Sequence, residues 1–557
     1  MKKIKYILGA IALIALPLQA QAQNQPKDST VTRTVVVEQE YNPDIMDASK
    51  VNVLPKVEPP TVSKKEVEYD ATLMPAGNIP APTMQAYTGK ETQSKASPGY
   101  ARLGYGNYGN LDARANYLFT LPNSDRLNLT FHMNGMDGKL DMGDDQADWN
   151  SYYYHTHAGM DYVHAFKKVN LNIAGNFDLS NFNFLPYSVN NKQKFTSGDI
   201  HFGVKSTSDD LPLQFRAETN LMFYERQHEL SFSDTQEGML RTKADVKGSI
   251  SEEQFIGLAL AMDNVFYKNN KFEDYTALNL NPYYLYENDD WKIRLGAHVD
   301  LAFGFGKQFR VSPDVTAAYT FSDSYTLYAQ AKGGKIQNDF RRMETISPYG
   351  QTAGQLDATY EQLNAALGFK ASPVAGLWFN IYGGYQDLKN DLLQSHTAFV
   401  TGDSPHSSGP SPDPYGYALL LDTRNTDNIY AGAEVSYAYK DIVSFSASGV
   451  YRDWKISDKE ADWLLAYKPA FEANFRIDLR PIPSVLINLG YQNISREKVN
   501  NEKADPVSNL YLGGSYELFK GISVYARVNN LLNKDYQYYW GYPTEGLNFL
   551  GGVSFQF

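Results

Sequence analysis

The chain has 557 residues, no cysteine, and an aromatic content of 14% that includes 41 tyrosines and 29 phenylalanines. The lack of cysteine excludes disulfides, thiolate metal sites, cysteine nucleophiles and the lipoprotein route, which needs a cysteine at its cleavage site. With 51 basic against 63 acidic side chains the net charge is −12, which argues against a nucleic-acid partner, because phosphate binding needs a basic footprint.

Residues 1–22 read as an export signal. Lys2, Lys3 and Lys5 precede an apolar stretch from Ile7 to Leu18, and Ala20-Gln21-Ala22 fits a small-x-small cleavage site. Residues 23–97 are proline-rich. The run Val53-Leu54-Pro55-Lys56-Val57-Glu58-Pro59-Pro60 can neither pair as a central strand nor continue a helix. This segment reads as an extended periplasmic extension.

From Pro98 to Phe557 the pattern becomes long period-two alternation. Mean hydropathy is −0.45, and past the N-terminus no apolar run reaches the roughly 20 residues of a membrane helix. In Leu211–Tyr224 one face carries Leu211, Leu213, Phe215, Ala217, Thr219, Leu221 and Phe223, and the other Gln214, Arg216, Glu218 and Asn220. In Trp291–Phe305 hydrocarbon alternates in the same way with Lys292, Arg294, His298 and Asp300. Such lengths exceed the roughly 5 or 6 residues of a usual soluble strand, and suit a strand between lipid and a wet lumen. The segments are expected to start near Tyr100, Leu111, Arg126, Tyr152, Val169, Gly198, Leu211, Leu240, Gln254, Tyr275, Trp291, Arg310, Tyr325, Ala358, Gly376, Asn428, Val443, Trp463, Val485, Ser508, Ile522 and Leu547. That makes 22 strands, with an additional hairpin strand an open reading for Gly416–Leu421. Short turns such as 122–125, 167–168 and 288–290 alternate with long loops at 134–148, 180–197, 225–238, 340–356, 389–426 and 493–506; only the connection near Gly306 is short on the long side. The fold class expected is an all-β, transmembrane antiparallel β-barrel of about 22 strands. Lipid would cover its outer face, and an even strand count would return both chain ends to the periplasm.

Several side-chain groups invite chemistry. His155 and His157 share a strand face, but a metal needs a third ligand. Asp137, Asp141, Asp144, Asp145 and Asp148 crowd one loop without an EF-hand register. Gly402-Asp403-Ser404 with His406 lacks the rigid elbow of a nucleophilic serine. No catalytic constellation, resident metal or cofactor is therefore assigned. Tyr152-Tyr153-Tyr154, Tyr283-Tyr284 and Tyr538-Tyr539-Trp540 read as an interfacial aromatic girdle, with a stacking platform for sugar rings as the alternative.

The terminal strand alternates Phe549, Gly551, Val553, Phe555 and Phe557; Val553, Phe555 and Phe557 resemble the signal read by the outer-membrane barrel assembly machinery. Before it, Arg527-Val528-Asn529-Asn530-Leu531-Leu532-Asn533-Lys534-Asp535-Tyr536 resembles the "N-L-F-N-K-x-Y" strand and loop of the TonB-dependent receptors. Gly541-Tyr542-Pro543 and Gly546–Phe555 resemble that family's last strand. The resemblance covers about 30 residues, and it implies a 22-stranded barrel with a lumen filled by an N-terminal plug. Here only the proline-rich residues 23–97 precede the barrel, fewer than a family plug requires. Thr34, Val35, Val36 and Val37 loosely resemble a TonB box, which pairs by strand addition.

Two functions follow as expectations. One is solute passage or uptake across the outer membrane, with Arg216, Glu218, Arg294, Asp300, Glu472 and Arg476 lining the lumen and setting selectivity. The other is a non-transporting barrel serving as a structural or assembly partner, with residues 23–97 docking a periplasmic or outer-membrane protein.

Overall fold

The computed structural model describes residues 97–557, apart from 123–124, 144–147, 186–191, 208–212, 230–231, 269–270, 323, 401–414 and 500–501. A single sheet of 22 antiparallel strands runs from Gly99–Gly106 to Asn548–Gln556. Each strand pairs with its neighbour in sequence. The first and last strands also pair with each other, Arg102 opposite Ser554 and Tyr105 opposite Gly551, so the sheet closes on itself. Closure leaves no free edge, which the bilayer interior requires.

The two faces of the sheet differ as the alternation demands. Phe223, Leu295, Phe303, Leu367, Ile381 and Phe471 stand exposed on the outer face, an apolar belt that only lipid can cover at this size. The inner face carries the polar partners of the same strands, among them the buried Asp300, Asp314, Asn380 and Asn488. Near the short-turn end the outer face carries aromatics. Trp291 packs on Tyr319 with centroids 4.6 Å apart, and Phe321, Tyr325 and Phe369 stack in sequence at 5.5 and 6.1 Å. This is the interfacial girdle at that end of the barrel.

On the inner face, tyrosines lie over glycines of the adjacent strand: Tyr283 over Gly257, Tyr328 over Gly368, Tyr382 over Gly432, Tyr430 over Gly384 and Tyr511 over Gly490. Each pair is directly opposite in register. A Cβ at any of these glycines would overlap the tyrosine ring.

Strand boundaries depart from the sequence expectation in one systematic way. Much of what reads as long loop is strand. The segment expected as loop 389–426 is largely the upper part of Leu377–Val400 and Tyr415–Tyr439, of 24 and 25 residues. Gly416–Leu421 belongs to that second strand and is not an additional one. Crossing a bilayer takes roughly 9–11 residues, so the remainder of these strands stands beyond it, where neither face meets lipid and the alternation fades. The strand placed at Trp463 is the second correction. Lys459–Tyr467 is a 3-10 helix, started by Asp458 accepting a hydrogen bond from the Glu460 amide, and its strand begins at Pro469. Ala461, Leu464 and Leu465 form its buried face, a three-to-four spacing that brief alternation mimics.

Candidate functional site

The first strand begins beside the last residue, with the Gly99 amide donating to the Phe557 carbonyl at 2.9 Å. Short turns share that end. At the opposite end, two connections fold into the barrel mouth. One, 337–358, carries the helix Phe340–Ile346. The other, 530–547, joins the last two strands and makes a small hairpin from Gln537–Tyr539 and Tyr542–Pro543. Together they pack an apolar core inside the mouth. Phe340, Met343 and Tyr349 from the first and Tyr536, Tyr538, Tyr539 and Tyr542 from the second pack against Trp149, Tyr153, Phe182 and Phe195 of the wall. Tyr349 stacks flat on Tyr542 at 3.7 Å, and Trp149 meets both edge-on.

Polar groups buried in this core tie it to the wall. The Asp339 side chain caps the helix by accepting from the Arg342 amide at 2.8 Å. Glu344 accepts from the Tyr224 hydroxyl at 2.6 Å and from Ser180 at 2.9 Å. Burial pushes the Glu344 carboxyl above its usual range despite those two bonds. Arg226, 1% exposed, donates to the Gly350 carbonyl at 2.7 Å and lies over the Phe195 and Phe340 rings. Gln351 is held by a parallel bridge to the strand Tyr415–Tyr439, giving its amide to Leu419 and taking that of Leu421. Arg496 does the equivalent work for the second loop. It is fully buried and donates to the carbonyls of Tyr467, Gln537 and Tyr538 at 2.9, 3.2 and 3.3 Å.

The Asn530–Tyr536 motif is the root of that second loop. Asn530 and Asn533 both have positive φ, 48° and 44°, which asparagine tolerates better than most residues. The Asn530 amide donates to Asn509, and its side chain donates to the Lys534 and Glu545 carbonyls and accepts from the Lys534 amide. Asn533 accepts from the Leu547 amide. The motif is a turn knitted by its own side chains.

Between the loops and the wall lies a cavity of about 50 Å³ of water-occupiable space, lined by Asn134, Ser151, Tyr153, Tyr349, Tyr538, Tyr539, Tyr542 and Glu545 among others. Glu545 is 4% exposed, and burial pushes its carboxyl up to about 7. Tyr153, Tyr538 and Tyr539 therefore sit inside the mouth and not in the girdle.

The expected lumen residues lie on three separate parts of the wall, and the structure brings together no site from all six. Arg216 pairs with Glu218 at 2.7 Å, and Lys243 lies 4.0 Å from the same carboxylate. Arg294 pairs with Asp314 at 2.6 Å and covers the Tyr283 ring. Asp300 is buried and accepts from Asn279 at 2.8 Å. Glu472 pairs with Arg452, and Arg476 with Asp478 at 2.9 Å. Most of this wall is charge-compensated. His157 bonds Asp178 at 2.7 Å, with His155 3.7 Å from the same carboxylate; no group of three metal-ligating side chains occurs among the described residues. Val553, Phe555 and Phe557 are exposed, the first two on the outer face of the closing strand. The Thr34–Val37 segment, Asp144, Asp145 and the Gly402–His406 stretch lie outside the described residues. Sequence reasoning missed Arg226, Glu344, Arg496 and the packing of the two connections inside the mouth. The available signals were a Phe340/Met343 spacing of three and tyrosines clustered in a connection.

No protein-family model matches the sequence, and neither does any curated protein. Solved structures do. The FrpB iron transporter from Neisseria meningitidis aligns over 84% of this chain and 82% of its own, with a TM-score of 0.62 and 10% identity. The copper transporter OprC aligns over the same shares, at 0.60 and 12%. So does a mutant ferric enterobactin receptor from Pseudomonas aeruginosa in complex with enterobactin, also at 0.60 and 12%. The closed sheet with its lipid-facing belt defines an outer-membrane β-barrel. It shares the fold of these transporters and receptors as a closed barrel of 22 strands, and at these identities the likeness is one of fold.

Proposed function

We propose that the chain is a receptor-like outer-membrane barrel for solute uptake or passage, with the two folded-in loops as its gate. The observation that carries this reading is the chemistry of the closure. Its latches, Arg226 to Gly350 and Glu344 to Tyr224 and Ser180, are a few polar contacts inside an apolar core, a construction that can be exchanged for contacts to a ligand. The structural neighbours, a copper transporter, an iron transporter and a ferric enterobactin receptor, support the same reading. Below the gate, Arg216, Glu218, Arg294, Asp300, Glu472 and Arg476 would tune passage through their ion pairs. Residues 1–22 would direct export, and residues 23–97, which precede the barrel of residues 98–557, would be a periplasmic extension available to a partner protein. Val553, Phe555 and Phe557 would present the closing strand to the assembly machinery.

Single-channel recording of the full-length protein in planar bilayers tests this. The wild type should be closed most of the time, and Arg226→Ala should raise its open fraction at least about tenfold, since leaving the buried Gly350 carbonyl without its donor costs roughly 1–3 kcal/mol. A barrel that never conducts, in either form, would remove the passage reading and leave the scaffold role in an outer-membrane complex.

A further inference from the structure

The cavity in the mouth has a chemistry the closure does not explain. Five tyrosines line it, Tyr153 from the wall, Tyr349 from one loop and Tyr538, Tyr539 and Tyr542 from the other. At its edge sits one carboxylate, Glu545, which is nine-tenths buried or more. One Glu545 oxygen accepts from the Asn110 amide at 2.9 Å. The other accepts no hydrogen bond from any described residue, and no lysine, arginine or histidine pairs with the group. The titratable groups around it are the cavity tyrosines and Tyr536.

We propose that this cavity binds a small organic cation, an ammonium head group bearing methyl groups, with Glu545 as its counter-charge and the tyrosine rings as its walls. A buried carboxylate without a cation is costly, and a bound cation relieves that cost. Aromatic faces are negative and attract a weakly hydrated ammonium within about 6 Å of the ring. Hydroxyl-rich neutral ligands would stack on the same rings but leave the carboxylate uncompensated. The size agrees: about 50 Å³ of water-occupiable space holds roughly three to five water molecules, comparable to an ammonium with a few methyl groups. Because Glu545 ionises near pH 7 in the empty site, and the cation favours the ionised form, affinity must rise with pH. The fraction ionised grows roughly tenfold between pH 6 and pH 8. The proposal rests on the uptake reading only for the ligand's route to the cavity; binding itself stands apart from passage.

Isothermal titration of the purified full-length barrel in a maltoside detergent, free of choline headgroups, tests it with choline and its neutral carbon isostere 3,3-dimethylbutan-1-ol. Choline should bind, and about tenfold more tightly at pH 8 than at pH 6. Glu545→Gln should weaken binding at pH 8 at least tenfold and flatten the pH profile. Tyr542→Phe should keep the affinity and Tyr542→Leu lose it. Absence of choline binding, equal binding of the isostere, or a pH-independent affinity overturns the proposal. Bilayer conductance of the same preparation reads the uptake proposal separately, so a barrel that conducts without binding choline fails only here.

Discussion

Arg226 and Arg496 are the two largest fully buried side chains, and each spends its guanidinium on backbone carbonyls of a loop. A carbonyl turned into a protein interior needs a donor, and an arginine supplies several from a fixed plane. The same logic makes Glu545 costly. Its carboxyl is raised from the ordinary 4.5 to about 7 by burial, opposed only by Asn110. For a carboxylate held above its unfolded value, the stabilising contribution is full below about pH 4.5 and is lost as pH rises to about 7. That interval corresponds to about 3 kcal/mol. Hydrogen-exchange protection of residues 530–547, corrected for intrinsic rates, should therefore fall from pH 5 to pH 8. Glu545→Gln should remove that fall; an unchanged slope in the variant would assign it to another group. None of these residues announced itself in the sequence. Asn110 and Glu545 stand 435 positions apart, and Glu344 meets Ser180 across 164. Periodicity reports a residue's own strand and carries nothing about such meetings.

At the scale of elements, the sequence was legible wherever lipid imposes alternation. The starts at Leu111, Arg126, Val169, Gln254, Tyr275, Trp291, Tyr325, Val443, Val485 and Ile522 coincide with the strands, because one face must be hydrocarbon there. Where the strands leave the bilayer the constraint lapses, and the segments around 389–426 read as loop. The C-terminal motif was visible as a resemblance, and the left-handed Asn530 and Asn533 give its physical reason. The glycine–tyrosine pairs are a further element-level device. A tyrosine ring fills the notch left by the glycine opposite, so Gly368→Ala forces Tyr328 off its seat and off its hydrogen bond to Asn380. Overpacking of this kind costs roughly 1–3 kcal/mol. Urea unfolding in lipid vesicles should show that loss for Gly368→Ala, and none for alanine at Gly175, where the nearest atom to an added Cβ is 3.7 Å away.

The described residues form a closed barrel with two connections folded into one mouth. Its outer surface answers to lipid, its inner wall is polar and paired, and its mouth is packed by two connections. The hairpin formed by Leu377–Val400 and Tyr415–Tyr439 is the tallest part of the wall. Its 24 residues on one side extend over roughly 80 Å of strand, against a hydrocarbon layer of about 30 Å. With no cysteine in the chain, Ser395→Cys offers a single reporter on that hairpin. It should react with a membrane-impermeant maleimide on intact cells, and a cysteine protected until lysis would reverse the assigned orientation. A ribbon of that height stands well beyond the hydrocarbon layer, so, if that maleimide reacts, it is a portion of the barrel within reach of an antibody or a bacteriocin, and selection by such attackers should concentrate sequence change there.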